Sequence, residues 1–467
     1  MSVKVSKNEV NMISGPIIKG LLKIAIPIMI MQVFQSIFSF IDMTMLGKFV
    51  GDKAVGAVGA CSTLITAITC LVTGVAVGAN VVVARHIAKG DQERKEKAIG
   101  TSIFIAALGG LFLMIIGVVF GRTFLTWMNV SPSLMDGATT YFTLYFIGCP
   151  ISLLYSYCAN ILRAAGDSKR PMYFLLVGGV LKITVNYLLL RFTNFTVQGV
   201  AIATIVSWSV SGGSCFYLLL RGKGSVKFKW NRFRIYPEEL KSLLHIGIPT
   251  GIYTMAYSFA NVIIASTVNT FGEHATEGIA IANTFDGLIY QIAHSPSLAV
   301  LPFISQNCSI KNYKRVKETL LKGSFVAAMI CFVAGSLSAI FSGQLASLMS
   351  QTPEVIAFAK QKMIIVSSTY FICAVQDVVA SAMRGIGKPI IPTIATLVFT
   401  CAFRFFWVYL VFPLYPNLTF LYLVWPLGWI LNIITLGIAF FYFLIKMQKK
   451  ENKEKLLAEG NLTKEVI

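Results

Sequence analysis

About twelve apolar stretches, each near the 20 residues needed to cross the hydrocarbon core of a bilayer, follow one another along this chain. They lie near residues 21–46, 55–80, 98–120, 138–161, 171–192, 197–220, 243–268, 278–302, 322–343, 358–382, 392–414 and 421–445. Few folds accept such a pattern. In hydrocarbon the backbone must satisfy its own hydrogen bonds, which leaves helices or closed barrels, and these runs are too long and too uniformly apolar for barrel strands. The expected fold is an all-α membrane protein of twelve transmembrane helices. A composition 56% hydrophobic and only 13% charged agrees with that class.

A net charge of +20 would also suit a nucleic-acid binder, so the placement of the cations matters. With the amino terminus in the cytoplasm, cytoplasmic segments hold 32 of the 40 Lys and Arg, from Lys4, Lys7, Lys19 and Lys23 to the clusters at 85–97, 163–170, 221–241, 311–322, 384–388 and 446–464. The external side keeps Lys48, Lys53, Arg122, Arg191, Lys360 and Lys362, while Lys182 and Arg404 stay inside apolar runs. This is the positive-inside asymmetry. It implies a multi-pass protein of the inner membrane with both termini cytoplasmic, partnered by the lipid bilayer and not by nucleic acid. The nine cysteines fall in or beside apolar runs without CxxC spacing, and read as small packing residues rather than as metal ligands or disulfides. No cleavable leader is expected ahead of Leu21.

Sliding the sequence over itself until Gly51 meets Gly272 exposes a repeat, because Ala54 then meets Ala275, Arg94 meets Arg315, Phe104 meets Phe325 and Trp208 meets Trp429. At the same offset R-x-x-G-x-x-x-x-P occurs twice, as Arg163, Gly166, Pro171 and as Arg384, Gly387, Pro392; Pro27 and Pro249 pair one position further apart. Each half carries six spans, an even number, so both enter the membrane in the same orientation and form parallel repeats around a central cavity. The expected organisation is an amino-terminal lobe over 1–220, a basic cytoplasmic linker over 221–242, a carboxy-terminal lobe over 243–446 and a cytoplasmic tail over 447–467.

Of the twenty acids, Asp42, Asp286 and Asp377 alone lie within apolar runs. A charge at the bilayer centre costs roughly 3 kcal/mol on insertion scales, so such an acid lines water, pairs, or takes up a proton. A carboxylate able to hold either a proton or a cation can exchange one for the other. Asp377 precedes Arg384 by about two turns, and either serves a site or pairs with one of the membrane cations, Lys182 or Arg404. Asp286 and His294, also about two turns apart, form either a proton site or a polar pair shielded between helices. Tyr141, Tyr145, Tyr155, Tyr253, Tyr257, Tyr290 and Tyr370 could line a cavity for organic cations, although membrane helices carry such rings at their interfaces in any case.

The stretch Gln35–Gly59, with an acid ahead of a glycine-rich turn, is similar to the first helix and following loop of multidrug and toxic compound extrusion (MATE) transporters. Val268, Asn269, Phe271 and Gly272, followed by Ser305, Gln306 and Asn307, resemble the seventh and eighth helices of that family. The two R-x-x-G segments and the run Trp425-Pro426-Leu427-Gly428-Trp429 extend the likeness over nearly the whole chain, on the bacterial DinF-like and NorM-like side of the family. The resemblance implies a V-shaped monomer without cofactor that exports bulky cationic or amphipathic small molecules by antiport with protons or sodium. Asp42 takes the place of the family's first-helix acid, and Asn186 that of an asparagine in the amino-lobe cation site. Leu190 stands where many relatives carry a second aspartate, and Cys373 where some NorM-like relatives carry their acid, four residues before Asp377.

No Gly-x4-Gly-Lys-Ser/Thr loop is present, which disfavours ATP-driven transport. The alternatives are a flippase for lipid-linked molecules and, more remotely, an intramembrane enzyme or a receptor. Cavity charge separates the first two readings. A net negative lining suits organic cations, and a net positive one suits pyrophosphate-linked lipids.

Overall fold

The computed structural model describes residues 8–222 and 224–465, so Lys4, Lys7 and Lys223 of the basic set lie outside the described residues. The first half comprises α1 (Ile17–Phe49), α2 (Asp52–Lys89), α3 (Gln92–Trp127), α4 (Pro132–Ile147), α5 (Cys149–Ala164), α6 (Lys169–Phe192) and α7 (Val197–Arg221). The second comprises α8 (Pro237–Val268), α9 (Glu273–Ser309), α10 (Tyr313–Ile340), α11 (Ser342–Ser347), α12 (Pro353–Ser368), α13 (Tyr370–Gly385), α14 (Ile390–Thr396), α15 (Phe403–Phe406), α16 (Leu418–Tyr422) and α17 (Val424–Glu465).

Among the described residues, nine helical segments are long and apolar enough to span, and the bent pairs α4–α5 (47°) and α12–α13 (44°) bring the number to eleven. Helix α8, 32 residues long, fills the remaining place at the head of the second repeat. The span Ile390–Leu414 is uneven: π-helical turns at Leu397–Ala402 and Trp407–Val411 flank the short α15. The helix α8 begins at Pro237, within the basic linker 221–242, and α17 runs unbroken through the tail as far as Glu465. The rest of the linker packs onto α3, where Lys95 Nζ donates to Ser225 O (2.7 Å) and Lys229 pairs with Glu96 (2.7 Å).

Backbone geometry repeats along with the sequence. Gly51 and Gly272, which start α2 and α9, both adopt positive φ (110° and 97°), as do Gly166 and Gly387 in the R-x-x-G turns (87° and 85°). Only glycine enters this region without steric cost, which accounts for its presence at all four positions. Helices α3 and α10 are capped at positions that the repeat superposes: Asp91 accepts from Arg94 N (2.9 Å) and Asn312 accepts from Arg315 N (3.1 Å). Both residue types satisfy an orphan N–H of the first turn.

The lobes meet in a pattern that interchanges the repeats, α2 against α8 and α1 against α9. At the first of these crossings Gly74 and Gly78 face Gly247 and Gly251. A Cβ on Gly74 would lie 2.4 Å from Gly251 N, and one on Gly247 would lie 2.4 Å from Val75 Cα. Two G-x-x-x-G segments thus bring the backbones into direct contact, the arrangement favoured where lipid offers no hydrophobic drive to associate.

Hydrogen bonds between the lobes gather from mid-bundle toward the end that carries both termini. Gln32 Nε2 donates to Ser295 Oγ (2.9 Å), Gln306 Nε2 to Ala164 O (2.9 Å) and Arg85 to Gly385 O (3.2 Å). Each R-x-x-G turn therefore receives a side chain from the opposite lobe. The segment ahead of α1 adds a strap: Glu9 accepts from Ser225 N (2.7 Å), while Met12 O accepts from Asn307 Nδ2 (3.1 Å) and Arg315 Nε (3.0 Å).

Candidate functional site

Each lobe encloses a cavity. In the first, α1 carries Asp42 and α6 carries Lys182 and Asn186, four residues apart and hence on one face. Lys182 Nζ forms an ion pair with Asp42 Oδ2, and Asn186 Nδ2 donates to Oδ1 (3.0 Å). Asp42 is 3% exposed and Asn186 fully buried. The cavity, about 420 Å³, is walled by Tyr141, Tyr145, Tyr155 and Trp208. Leu190, one turn beyond Asn186, is buried in an apolar cluster that also holds Tyr141, and it adds no second carboxylate. The pairing of Asp42 with Asn186 expected from the sequence is present, and Lys182 joins it.

The second cavity, about 370 Å³, is lined by Asn261 from α8, Asn283 and Asp286 from α9, Lys362 from α12, Arg404 from α15 and Trp425 and Trp429 from α17, with Tyr257, Tyr290 and Tyr370 between them. Lys362 Nζ lies 3.0 Å from Asp286 Oδ2 and also contacts Asn283 Oδ1, while Ser367 donates to Asp286 Oδ1 (3.1 Å). Arg404 donates to Asn261 Oδ1 (2.7 Å), and both cations stand 5.4 Å from the Trp425 ring centroid. Among the described residues, no carboxylate pairs with Arg404.

Several expected pairings need correction. Neither Lys182 nor Arg404 reaches Asp377. Lys182 belongs to Asp42, and Arg404 to Asn261 and Trp425. Asp377 is held instead by Tyr253 (2.9 Å) and by His294 Nδ1 (2.8 Å), with Arg384 stacked on Tyr253. His294 is therefore not the partner of Asp286. Eight residues on a helix turn the side chain roughly 80° away from the starting face, enough to pass it to a different neighbour. Lys362, expected on the external side, is 2% exposed and sits inside the lobe. The offset that superposes Gly51 on Gly272 also superposes Tyr141 on Lys362, and Tyr141 lines the first cavity as Lys362 lines the second.

The two cavities occupy corresponding places. Trp208 and Trp429 each wall their own, and Lys182 and Arg404, related by the same spacing as Pro27 and Pro249, supply a cation to each. Their charges differ. Asp42 and Lys182 leave the first lining neutral, whereas Asp286, Lys362 and Arg404 leave the second with one positive charge.

The MatE family model matches this chain twice, over residues 27–188 and 249–410, which are the two repeats. The chain is 25% identical over 379 residues to the "Probable multidrug resistance protein YoeA" of Bacillus subtilis, covering 80% of this chain and 82% of that one. It is also 25% identical to the "Probable multidrug resistance protein NorM" of Thermotoga maritima, covering 81% and 82%. A solved structure described as the outward-facing conformation of a multidrug resistance MATE family transporter superposes with a TM-score of 0.86 at 20% identity, over 96% of this chain and 100% of its own. The double match to the family model spans well over half of the residues, and the chain belongs to the MatE family of membrane transporters, which are not enzymes.

Proposed function

We propose that the protein is a multidrug exporter that expels organic cations and amphipathic compounds in exchange for protons, by alternating access of its two lobes. The observation that carries this reading is the neutral triad Asp42, Lys182 and Asn186 on the wall of an aromatic cavity. Lys182 acts as a tethered cation that keeps Asp42 compensated while neither ligand is present. A proton on Asp42 releases Lys182, and an organic cation stacked on Tyr141, Tyr145 and Trp208 competes for the same carboxylate. Sodium fits this arrangement poorly, since the ammonium already occupies the carboxylate and Leu190 supplies no second acid.

The basic segments support assigning the strapped end to the cytoplasm of the inner membrane, with the protein acting as a monomer and without a cofactor. Closure at that end then corresponds to an outward-directed state. The lipid-linked flippase remains a second reading, favoured by the positive charge of the second cavity. Ethidium efflux from right-side-out vesicles under imposed proton or sodium gradients tests the proposal. Efflux driven by protons alone and reduced at least tenfold by Asp42→Asn supports it. Efflux that follows sodium, or no gradient-driven efflux at all, refutes it.

A further inference from the structure

We infer that the cavity of the second lobe is an anion site, which takes the acidic group of a soluble aromatic or amphipathic organic anion at Arg404. The inference deepens the export reading and rests on it for its physiological meaning, but not for its geometry. Arg404 is 2% exposed and lines the cavity, and its one polar side-chain partner among the described residues is the amide oxygen of Asn261. Unpaired charge at membrane depth is costly and marks ligand sites. The nearby acids are already engaged, Asp286 by Lys362 and Ser367, and Asp377 by His294 and Tyr253.

The first lobe provides an internal control. At the equivalent position Lys182 lies on a regular helix and is neutralised by Asp42. In the second lobe the corresponding helix carries π-helical turns on both sides of Arg404, a distortion that is enriched at functional sites. The guanidinium offers a planar fork of N–H donors suited to carboxylate, sulfonate or phosphate. Trp425 and Trp429 supply the flat apolar surface on which the rest of such a ligand can stack. The two cavities would then serve opposite charges within one protein.

The test uses three probes with the same ring, 2-naphthalenesulfonate, 2-naphthylmethanol and 2-naphthylmethylammonium. Each is dialysed to equilibrium against the full-length protein in phosphatidylcholine nanodiscs, with empty discs as blanks. No gradient is imposed, so the result stands apart from success or failure of the efflux assay. The ammonium, whose charge suits Asp42 in the first cavity, serves as a control that Arg404→Gln should leave unchanged, whereas the sulfonate should bind at least tenfold more tightly than the alcohol. Arg404→Gln should abolish that preference, and Arg404→Lys should keep most of it. Equal binding of the sulfonate and the alcohol, or no binding of the sulfonate, would overturn the inference, and this comparison on the unmodified protein needs no variant to fold. Preference unchanged in a folded Arg404→Gln protein would also overturn it. Displacement of the sulfonate by phosphatidylglycerol added to the discs would reassign the site to a lipid headgroup and overturn the assignment to a soluble anion.

Discussion

Lys362 Nζ lies 3.0 Å from Asp286 Oδ2 inside the second lobe, with both side chains almost wholly removed from solvent. Removing one partner of such a pair leaves an uncompensated buried charge, which typically costs about 3–5 kcal/mol, whereas removing both together can be nearly neutral. Lys362→Met alone should lower the melting temperature in detergent by many degrees. Adding Asp286→Asn to it should recover most of the loss. Additive losses in the double variant would show that the two side chains do not compensate one another.

Asp42→Asn keeps size and hydrogen-bonding capacity and removes the charge exchanged between proton, Lys182 and substrate. Gradient-driven efflux should fall by at least a factor of ten, equivalent to roughly 1.4 kcal/mol or more. Asp42→Glu should retain part of the activity and a melting temperature near that of the parent, whereas Asp42→Asn, which leaves Lys182 without its carboxylate, should also lower the melting temperature. Normal pumping by a well-expressed Asp42→Asn protein would move the coupling step to the second lobe.

The crossing of α2 and α8 has no room for side chains, because a Cβ on Gly74 would meet Gly251 N at 2.4 Å. Gly74→Leu must part the two helices, at a cost of roughly 1–3 kcal/mol. A cysteine introduced at Gln306, whose side chain bridges to Ala164 O of the other lobe, should then react with a thiol reagent several-fold faster than in the parent background. Unchanged labelling would mean that the helices separate without opening the strapped end.

Arg315 holds the strap through Met12 O and Gly15 O while Asn312 caps the helix beneath it. Arg315→Ala should raise the reactivity of a cysteine placed at Ser309, which bridges to Arg85 O of the other lobe. Arg94→Ala, at the equivalent place in the first repeat, should not, since Arg94 pairs with the exposed Glu238 rather than with the strap. The contrast between the two variants is the readout.

Much of this arrangement was legible in the chain. Span length and the spacing of Gly51, Gly166, Gly272 and Gly387 fix the helices, the repeat and the turns, because bilayer thickness and positive φ are local demands. Asp42 and Asn186 were equally accessible, one as an isolated membrane acid and the other through the family pattern. Lys362 was not, for a physical reason. A hydropathy window averages a single stretch of chain, whereas burial of this ammonium depends on Asp286 and Asn283, which lie on another helix. The bend between α12 and α13 compounded the error, since one apolar run drawn over 358–382 places Lys362 at a membrane surface when the span in fact begins near Pro353. The partner of His294 escaped for a related reason: spacing along α9 reports which residues share a face, but not which face meets Asp377 on α13.

The strap also sets an order of events during synthesis. Met12 leaves the ribosome 295 residues ahead of its partner Asn307. The first lobe must therefore enter the bilayer with its leading segment untethered, and the strapped end can lock only when the ninth and tenth helices have arrived. A nascent chain arrested before Arg315 can already hold Glu9 on Ser225 but should still expose residues 12–15 to protease, and their protection would mark the moment at which the two halves first become one molecule.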